Sequence, residues 1–242
     1  MSEKRTGERR ETDVNIQGYQ KVTLLDYPGK VGCTVFTGGC NLRCPFCHNG
    51  GLVRTPAAYP NAEGEVLDYL SSRRGILEGV CITGGEPLLQ PDLVAFIQKI
   101  KDMGYGVKLD TNGALPVRLK KVLDTGLVDY VAMDLKSSPE GYPLATGCEV
   151  EFATFAESME VIRESGVAFE FRTTAVKGIH TVADFEAMAK LVGNDPYFVQ
   201  SFADSGNLLT QGWSAFSYEE TEAIMAAVHA HAPQALLRGG SK

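Results

Sequence analysis

Residues 80–113 read VCITGGEPLLQPDLVAFIQKIKDMGYGVKLDTNG. VCITG (80–84) is a short β-rich run. PDLVAFIQKIKDMG (91–104) carries its apolar residues at helical spacing and closes on Gly104, and GVKLDT (106–111) is β-rich again. Strand, helix, strand is the unit of a parallel sheet, because two parallel strands need a long crossover and a helix is the usual one.

The same alternation runs outward on both sides. VGCTVFT (31–37) predicts a strand and EVLDYLSSRR (65–74) a helix. PVRLKKVLDTG (116–126) predicts a helix, VDYVAMDLK (128–136) a strand, TFAESMEVIRESG (154–166) a helix and AFEFRTTAV (168–176) a strand. VADFEAMAKLVG (182–193) predicts a helix, YFVQSF (197–202) a strand and YEETEAIMAAVHAH (218–231) a helix. About six strand-then-helix units in a row predict an α/β fold, either an open, partial (β/α)6 barrel of parallel strands or a doubly wound sheet. In both, chemistry sits at the C-terminal ends of the strands, so a motif just after a strand is a candidate site. Residues 1–17 are expected to form a flexible leader and 18–242 a single domain.

Composition removes several classes of function. The chain has 242 residues, 44% of them hydrophobic, enough for a full core. No segment approaches the roughly 18 consecutive apolar residues of a membrane span, and the charged start MSEKRTGERRETD has no apolar run behind it. A net charge of −7 with no Lys/Arg-rich run argues against direct nucleic-acid binding. Of the six cysteines, three gather in one loop, while Cys33, Cys81 and Cys148 are scattered. That is not a disulfide framework, and it predicts a reducing, cytoplasmic setting.

The gathered cysteines lie in GGCNLRCPFCHNG (38–50), just after the strand at 31–37, with Cys40, Cys44 and Cys47 spaced C-x3-C-x2-C. Closely spaced thiols in a reducing compartment point to zinc or to an iron–sulfur cluster. A structural zinc site wants a fourth ligand, usually from a second cysteine pair. None is present, and His48 stands too close to Cys47 along the chain to chelate the same ion easily. Three cysteines on a cubane cluster leave one iron open, which is what catalysis needs. The spacing favours a [4Fe-4S] cluster, with zinc as the alternative.

Further motifs follow the other strands. In TGGEPLLQP (83–91), paired glycines let backbone approach a ligand closely, successive N–H groups can form an anion-binding nest, and Glu86 adds a negative charge. The plain alternative is a strand-to-helix turn. DTNG (110–113) and MDLK (133–136) each put an acid at a strand's end, where a turn and a surface pair are the plain alternatives. Asp134 and Lys136 are two apart on a strand and so point the same way. Arg172 lies inside an apolar strand, where a charge is costly unless paired, so it meets either a core carboxylate or a ligand.

CNLRCPFC (40–47), with an aromatic before its last cysteine, resembles the signature of the radical S-adenosylmethionine (SAM) enzymes. The longer FTGGCNLRCPFCHN, with LLDYPGK (24–30) before it, resembles the glycyl-radical-enzyme activases of that superfamily, and most closely the group that activates anaerobic ribonucleoside-triphosphate reductase. The resemblance runs from about Gly18 to about Gly212. It implies that Cys40, Cys44 and Cys47 hold the cluster and that the amino and carboxylate groups of SAM bind the fourth iron. It places Phe46, Gly84, Gly85, Glu86, Asp110, Thr111, Asp134, Lys136 and Arg172 around SAM, with Glu86 toward the methionyl amine. No side chain then serves as catalytic acid or base, since the SAM-derived radical carries the chemistry. In the pyruvate formate-lyase activase branch the two Asp positions also help to bind a monovalent cation, an expectation that falls here on Asp110 and Asp134. The implied partners are a glycyl radical enzyme as protein substrate and flavodoxin or ferredoxin as electron donor.

Two departures matter. The Pro-Tyr-His setting of the pyruvate formate-lyase branch is replaced by Val199-Gln200-Ser201-Phe202, and His180, His229 and His231 are no evident substitutes. Residues 50–80 hold no further cysteine cluster, so one cluster is expected. Other readings stay open: a radical SAM enzyme acting on a small molecule, such as 7-deazaguanine synthesis, a pyruvate formate-lyase-type activase, or an electron-transfer or sensing module.

Overall fold

The computed structural model describes residues 14–54, 59 and 62–239. Of the expected leader, residues 1–13 lie outside that range, while Val14 and Ile16 are buried and the first strand begins at Ile16. The described residues group into two compact units. One comprises the described residues up to Asn41, those of Gly51–Thr111, and Val117–Tyr130. The other comprises Leu42–Gly50, Asn112–Pro116 and the residues from Val131 onward.

The first unit is built from β1 (Ile16–Thr23), β2 (Gly32–Thr37), α1 (Gly50–Arg54), α2 (Ala62–Ser71), β3 (Gly79–Gly84), α3 (Leu93–Asp102), β4 (Gly106–Thr111) and α4 (Pro116–Leu123). β2, β3 and β4 are parallel, with Thr37 opposite Gly84 and Ile82 opposite Leu109, so their C-terminal ends share one edge. Cys33, Val35, Val80, Cys81, Ile82, Val107 and Leu109 are fully buried. Such near-continuous apolar runs are what a parallel sheet covered on both faces demands. α3 buries Leu93, Phe96, Ile97 and Ile100, one stripe at helical spacing.

β1 was not foreseen. It pairs antiparallel with β2, and its middle residues are half-buried or exposed. A strand that buries so little needs no apolar alternation, so IQGYQKVT carries none of the usual signal.

The second unit contains all but the first residue of β5 (Tyr130–Asp134), with α5 (Tyr142–Thr146), α6 (Phe152–Glu164), β6 (Ala168–Ala175), α7 (Val182–Val192), β7 (Tyr197–Ser201), α8 (Tyr218–His229) and β8 (Leu236–Arg238). β6, β7 and β8 run parallel in that order. α7 and α8 open on reciprocal caps, Thr181 with Asp184 and Ser217 with Glu220, which satisfy backbone N–H groups that a helix start leaves open. The three-residue β8 is too short to show a period in sequence. Arg238 ties it down through two 2.8 Å bonds to the buried carboxylate of Glu170.

All six expected strand–helix pairs are present in the chain order. Among the described residues, no helix is long and apolar enough to cross a membrane.

Candidate cluster and cofactor site

In the first unit the motif residues collect at the shared C-terminal edge of β2, β3 and β4. Cys40 follows β2 and is half-buried. The Gly85 N–H donates to the carbonyl of Thr37 and the Glu86 N–H to that of Gly39, both at 2.8 Å. A Cβ on Gly84 would lie 2.3 Å from the Thr37 nitrogen, and one on Gly85 only 1.9 Å from the Gly39 oxygen. The glycines therefore bring the end of β3 against the backbone at the root of the cysteine loop. This corrects the anion-nest expectation, since these two N–H groups are directed to carbonyls.

Glu86 is fully buried. Its Oε1 accepts from the Leu88 N–H and from the Thr111 hydroxyl, each at 3.0 Å, which caps the short 3-10 turn Pro87–Leu89 and links β3 to the end of β4. Asp110, one residue earlier on β4, forms an ion pair with Lys108. Lys108 is buried, and its Nζ lies 3.8 Å from the sulfur of Cys81. Lys108 was missed in the sequence. The i, i+2 alternation that paired Asp134 with Lys136 applies equally to Lys108 and Asp110 in GVKLDT.

In the second unit the rest of the cysteine loop is fastened by three backbone bonds. Arg43 N–H reaches the Thr146 carbonyl at 2.8 Å, Cys47 N–H that of Cys44 at 3.0 Å, and Thr210 N–H that of Pro45 at 2.9 Å. Thr146 and Thr210 stand far away in sequence, and nothing local marks them as anchors. Cys44 and Phe46 are buried and Cys47 is half-buried. The Phe46 ring meets His180 edge-on at 6.1 Å. His180 Nδ1 accepts from the Val176 N–H at 3.1 Å, so Nε2 carries the proton and donates to the Lys136 carbonyl at 2.7 Å. Burial lowers the pKa of this imidazole, which favours the neutral form that this bonding needs. His48 turns its ring to Phe202, 5.4 Å away.

Asp134 is the hub of the second unit's charges. Arg172 reaches its Oδ1 through Nε at 3.0 Å and Nη2 at 2.9 Å, and Lys136 Nζ reaches Oδ2 at 2.9 Å. Arg172 thus pairs with a carboxylate of a neighbouring strand. Burial alone would raise the Asp134 pKa, but Arg172 and then Lys136 outweigh it and hold the carboxyl well below its usual range. Burial alone would depress Lys136, but Asp134 and then Cys44, with Cys47 a smaller contributor, hold it charged. Two cations therefore share one carboxylate beside Cys44 and Cys47.

The depressed Asp134 pKa has a signed consequence. Its stabilisation is complete above the unfolded carboxylate value of about 3.9 and is lost as pH falls below it. Urea midpoints followed by circular dichroism should therefore drop between about pH 4 and pH 2, and Asp134→Asn should flatten that drop. An equally steep fall in the variant would mean that other carboxylates dominate.

None of the six cysteines is in a disulfide. Burial pushes the Cys33 thiol up to about 12, which makes it a poor ligand. Cys81 is also fully buried and Cys148 half-buried.

The sequence profile of the radical SAM superfamily matches residues 34–192, well over half of the chain. The chain belongs to the radical SAM superfamily. Membership implies a [4Fe-4S] cluster and SAM, and the residues of this radical SAM enzyme fit them. The loop supplies three reduced cysteines. A cubane takes each thiolate on a different iron, and the three cysteines of this one loop can supply three of its four positions.

The chain is 31% identical over 196 residues to a candidate glycyl-radical enzyme activating enzyme of Methanocaldococcus jannaschii, covering 77% of this chain and 79% of that one. It is 35% identical over 111 residues to the 7-carboxy-7-deazaguanine synthase of Thermoplasma acidophilum, covering 46% of this chain and 49% of that one. Among solved structures, a radical SAM methyltransferase from Sphaerobacter thermophilus matches with a TM-score of 0.67 at 15% identity, over 88% of this chain and 67% of that one. This likeness shows the fold class, the α/β partial barrel of parallel strands.

Proposed function

We propose that this radical SAM enzyme activates a glycyl radical enzyme, with anaerobic ribonucleoside-triphosphate reductase as the partner. The observation that carries the SAM reading is the Asp134–Lys136–Arg172 cluster beside Cys44 and Cys47, where two cations against one carboxylate suit a ligand's carboxylate. The activase reading is supported by the Methanocaldococcus relative, which is similar along 77% of the chain.

When bound and reduced by one electron, as flavodoxin or ferredoxin would donate, the cluster with SAM would supply a 5′-deoxyadenosyl radical as the C–S bond breaks and methionine leaves, and hydrogen-atom transfer from a glycine Cα of the partner would give 5′-deoxyadenosine and the glycyl radical. Everything else falls to this chain's residues. Cys40, Cys44 and Cys47 would hold three of the four irons. Glu86, with Gly84 and Gly85 fixing its backbone, receives the methionyl ammonium. Lys136 and Arg172 attract the carboxylate, with Asp134 orienting both cations. Asp110 and Thr111, at the end of β4, and Phe46, in the cysteine loop, are assigned to SAM as well. No side chain moves a proton. A partner glycine has no Cβ, so the loop bearing it can enter a confined site. A second reading, a small-molecule substrate, is favoured by the deazaguanine synthase similarity, which covers 46% of the chain.

Anaerobically reconstituted, reduced protein is expected to convert SAM to 5′-deoxyadenosine and to leave a glycyl radical signal in electron paramagnetic resonance on the reductase. 5′-Deoxyadenosine formed with no radical on any glycyl radical enzyme, but with turnover of a purine precursor, would replace this reading by the second. Glu86→Gln is expected to keep its cluster and to bind SAM about tenfold more weakly or worse. Unchanged affinity in equilibrium dialysis would take Glu86 out of the site.

A further inference from the structure

β4 reads GVKLDT, and its two buried charges lie on one face. Lys108 is 1% exposed and Asp110 9% exposed, and they are ion-paired. A carboxylate taken out of water needs a counter-charge, and so does an ammonium. The second unit repeats the arrangement, with Asp134 held by Arg172 and Lys136. These two carboxylates are the ones for which a monovalent cation was expected, and each already carries a cation built into the chain. We infer that the Lys108 ammonium is the resident cation of Asp110, so that this site takes no monovalent cation from solution.

The physical reason is competition. Lys108 is tethered two residues from Asp110 on a rigid strand, so its charge is presented at a very high effective concentration. A potassium or sodium ion would have to shed its water and displace an ammonium that has nowhere solvated to go. The inference rests on β4 and not on the SAM reading, and neither readout below needs the cluster or SAM.

The test is equilibrium dialysis of the purified protein against radiolabelled rubidium ion, a potassium surrogate. Thermal melting is run in parallel in potassium chloride and in tetramethylammonium chloride at equal ionic strength. Wild type is expected to bind no stoichiometric rubidium and to melt alike in both salts. Lys108→Met removes the ammonium and should gain rubidium binding, with a melting temperature a few degrees higher in potassium than in tetramethylammonium. Lys108→Met with Asp110→Asn should lose both responses. Stoichiometric rubidium in wild type that Asp110→Asn abolishes overturns the inference, as does a folded Lys108→Met protein that binds none. Should Lys108→Met fail to fold, the comparison of wild type with Asp110→Asn still decides: binding that disappears in the variant refutes the inference, and no binding in wild type upholds it.

Discussion

Cys44→Ala is expected to bring iron and sulfide loading down to background and to abolish 5′-deoxyadenosine formation. With three protein thiolates for four irons, the cluster has no ligand to spare. Cys44 is the most enclosed of the three, 8% exposed. The substitution removes a sulfur and leaves the backbone alone. The anchors from Arg43 to Thr146 and from Thr210 to Pro45, and the bond from Cys47 N–H to the residue 44 carbonyl, all survive it. The apoprotein should therefore melt close to wild type, within about 1 kcal/mol. Cys33→Ala is the control: a fully buried cysteine of β2 that should keep full iron. Colorimetric iron and sulfide assays on the anaerobically reconstituted proteins read the result. A Cys44→Ala protein with a full complement of iron would sink the cluster assignment.

Gly85→Ala is expected to cost about 3 kcal/mol or more of folding stability and to weaken SAM binding with it. The added methyl would stand 1.9 Å from the Gly39 carbonyl oxygen, and that atom is backbone, so no side-chain rotation makes room. Relief requires the end of β3 to back away from the cysteine loop. That breaks the Gly85-to-Thr37 and Glu86-to-Gly39 hydrogen bonds and shifts the buried Glu86 carboxylate from Leu88 and Thr111. Gly51→Ala is the contrast. Nothing lies within 4 Å of its added methyl, and on α1 alanine is the better helix former, so stability should hold or rise by up to about 1 kcal/mol. Urea denaturation at neutral pH separates the two. A Gly85→Ala midpoint equal to wild type would mean that the close backbone approach does not govern this motif.

Both predictions concern motifs visible in the sequence, yet they were legible to different degrees. The C-x3-C-x2-C spacing narrows its chemistry to an iron–sulfur cluster or zinc, because three thiols so close along the chain are natural ligands of one site. The glycine pair stated only that backbone comes close to something. Whether that something is a ligand or the loop after β2 depends on which strand lies beside β3, and no local pattern carries strand order. Arg172 was ambiguous in the same way, since its partner Asp134 lies on another strand. Lys108 went unread because a lysine in a strand is ordinarily a surface residue, and its burial follows from layers that cover both faces of the sheet.

The alternation of strands and helices, the parallel sheet it requires and the three clustered thiols were determined by sequence alone, because periodicity and covalent spacing are local properties. β1 and β8 were not, since the one buries too little for a pattern and the other is too short to show one. The anchoring of the cysteine loop by Thr146 and Thr210, the seating of Phe46 against His180, and the partners of Asp110 and Asp134 were decided only by tertiary structure. Each is a hydrogen bond, ring contact or ion pair whose energy depends on distance in space. Folding sets that distance independently of the number of residues between the partners.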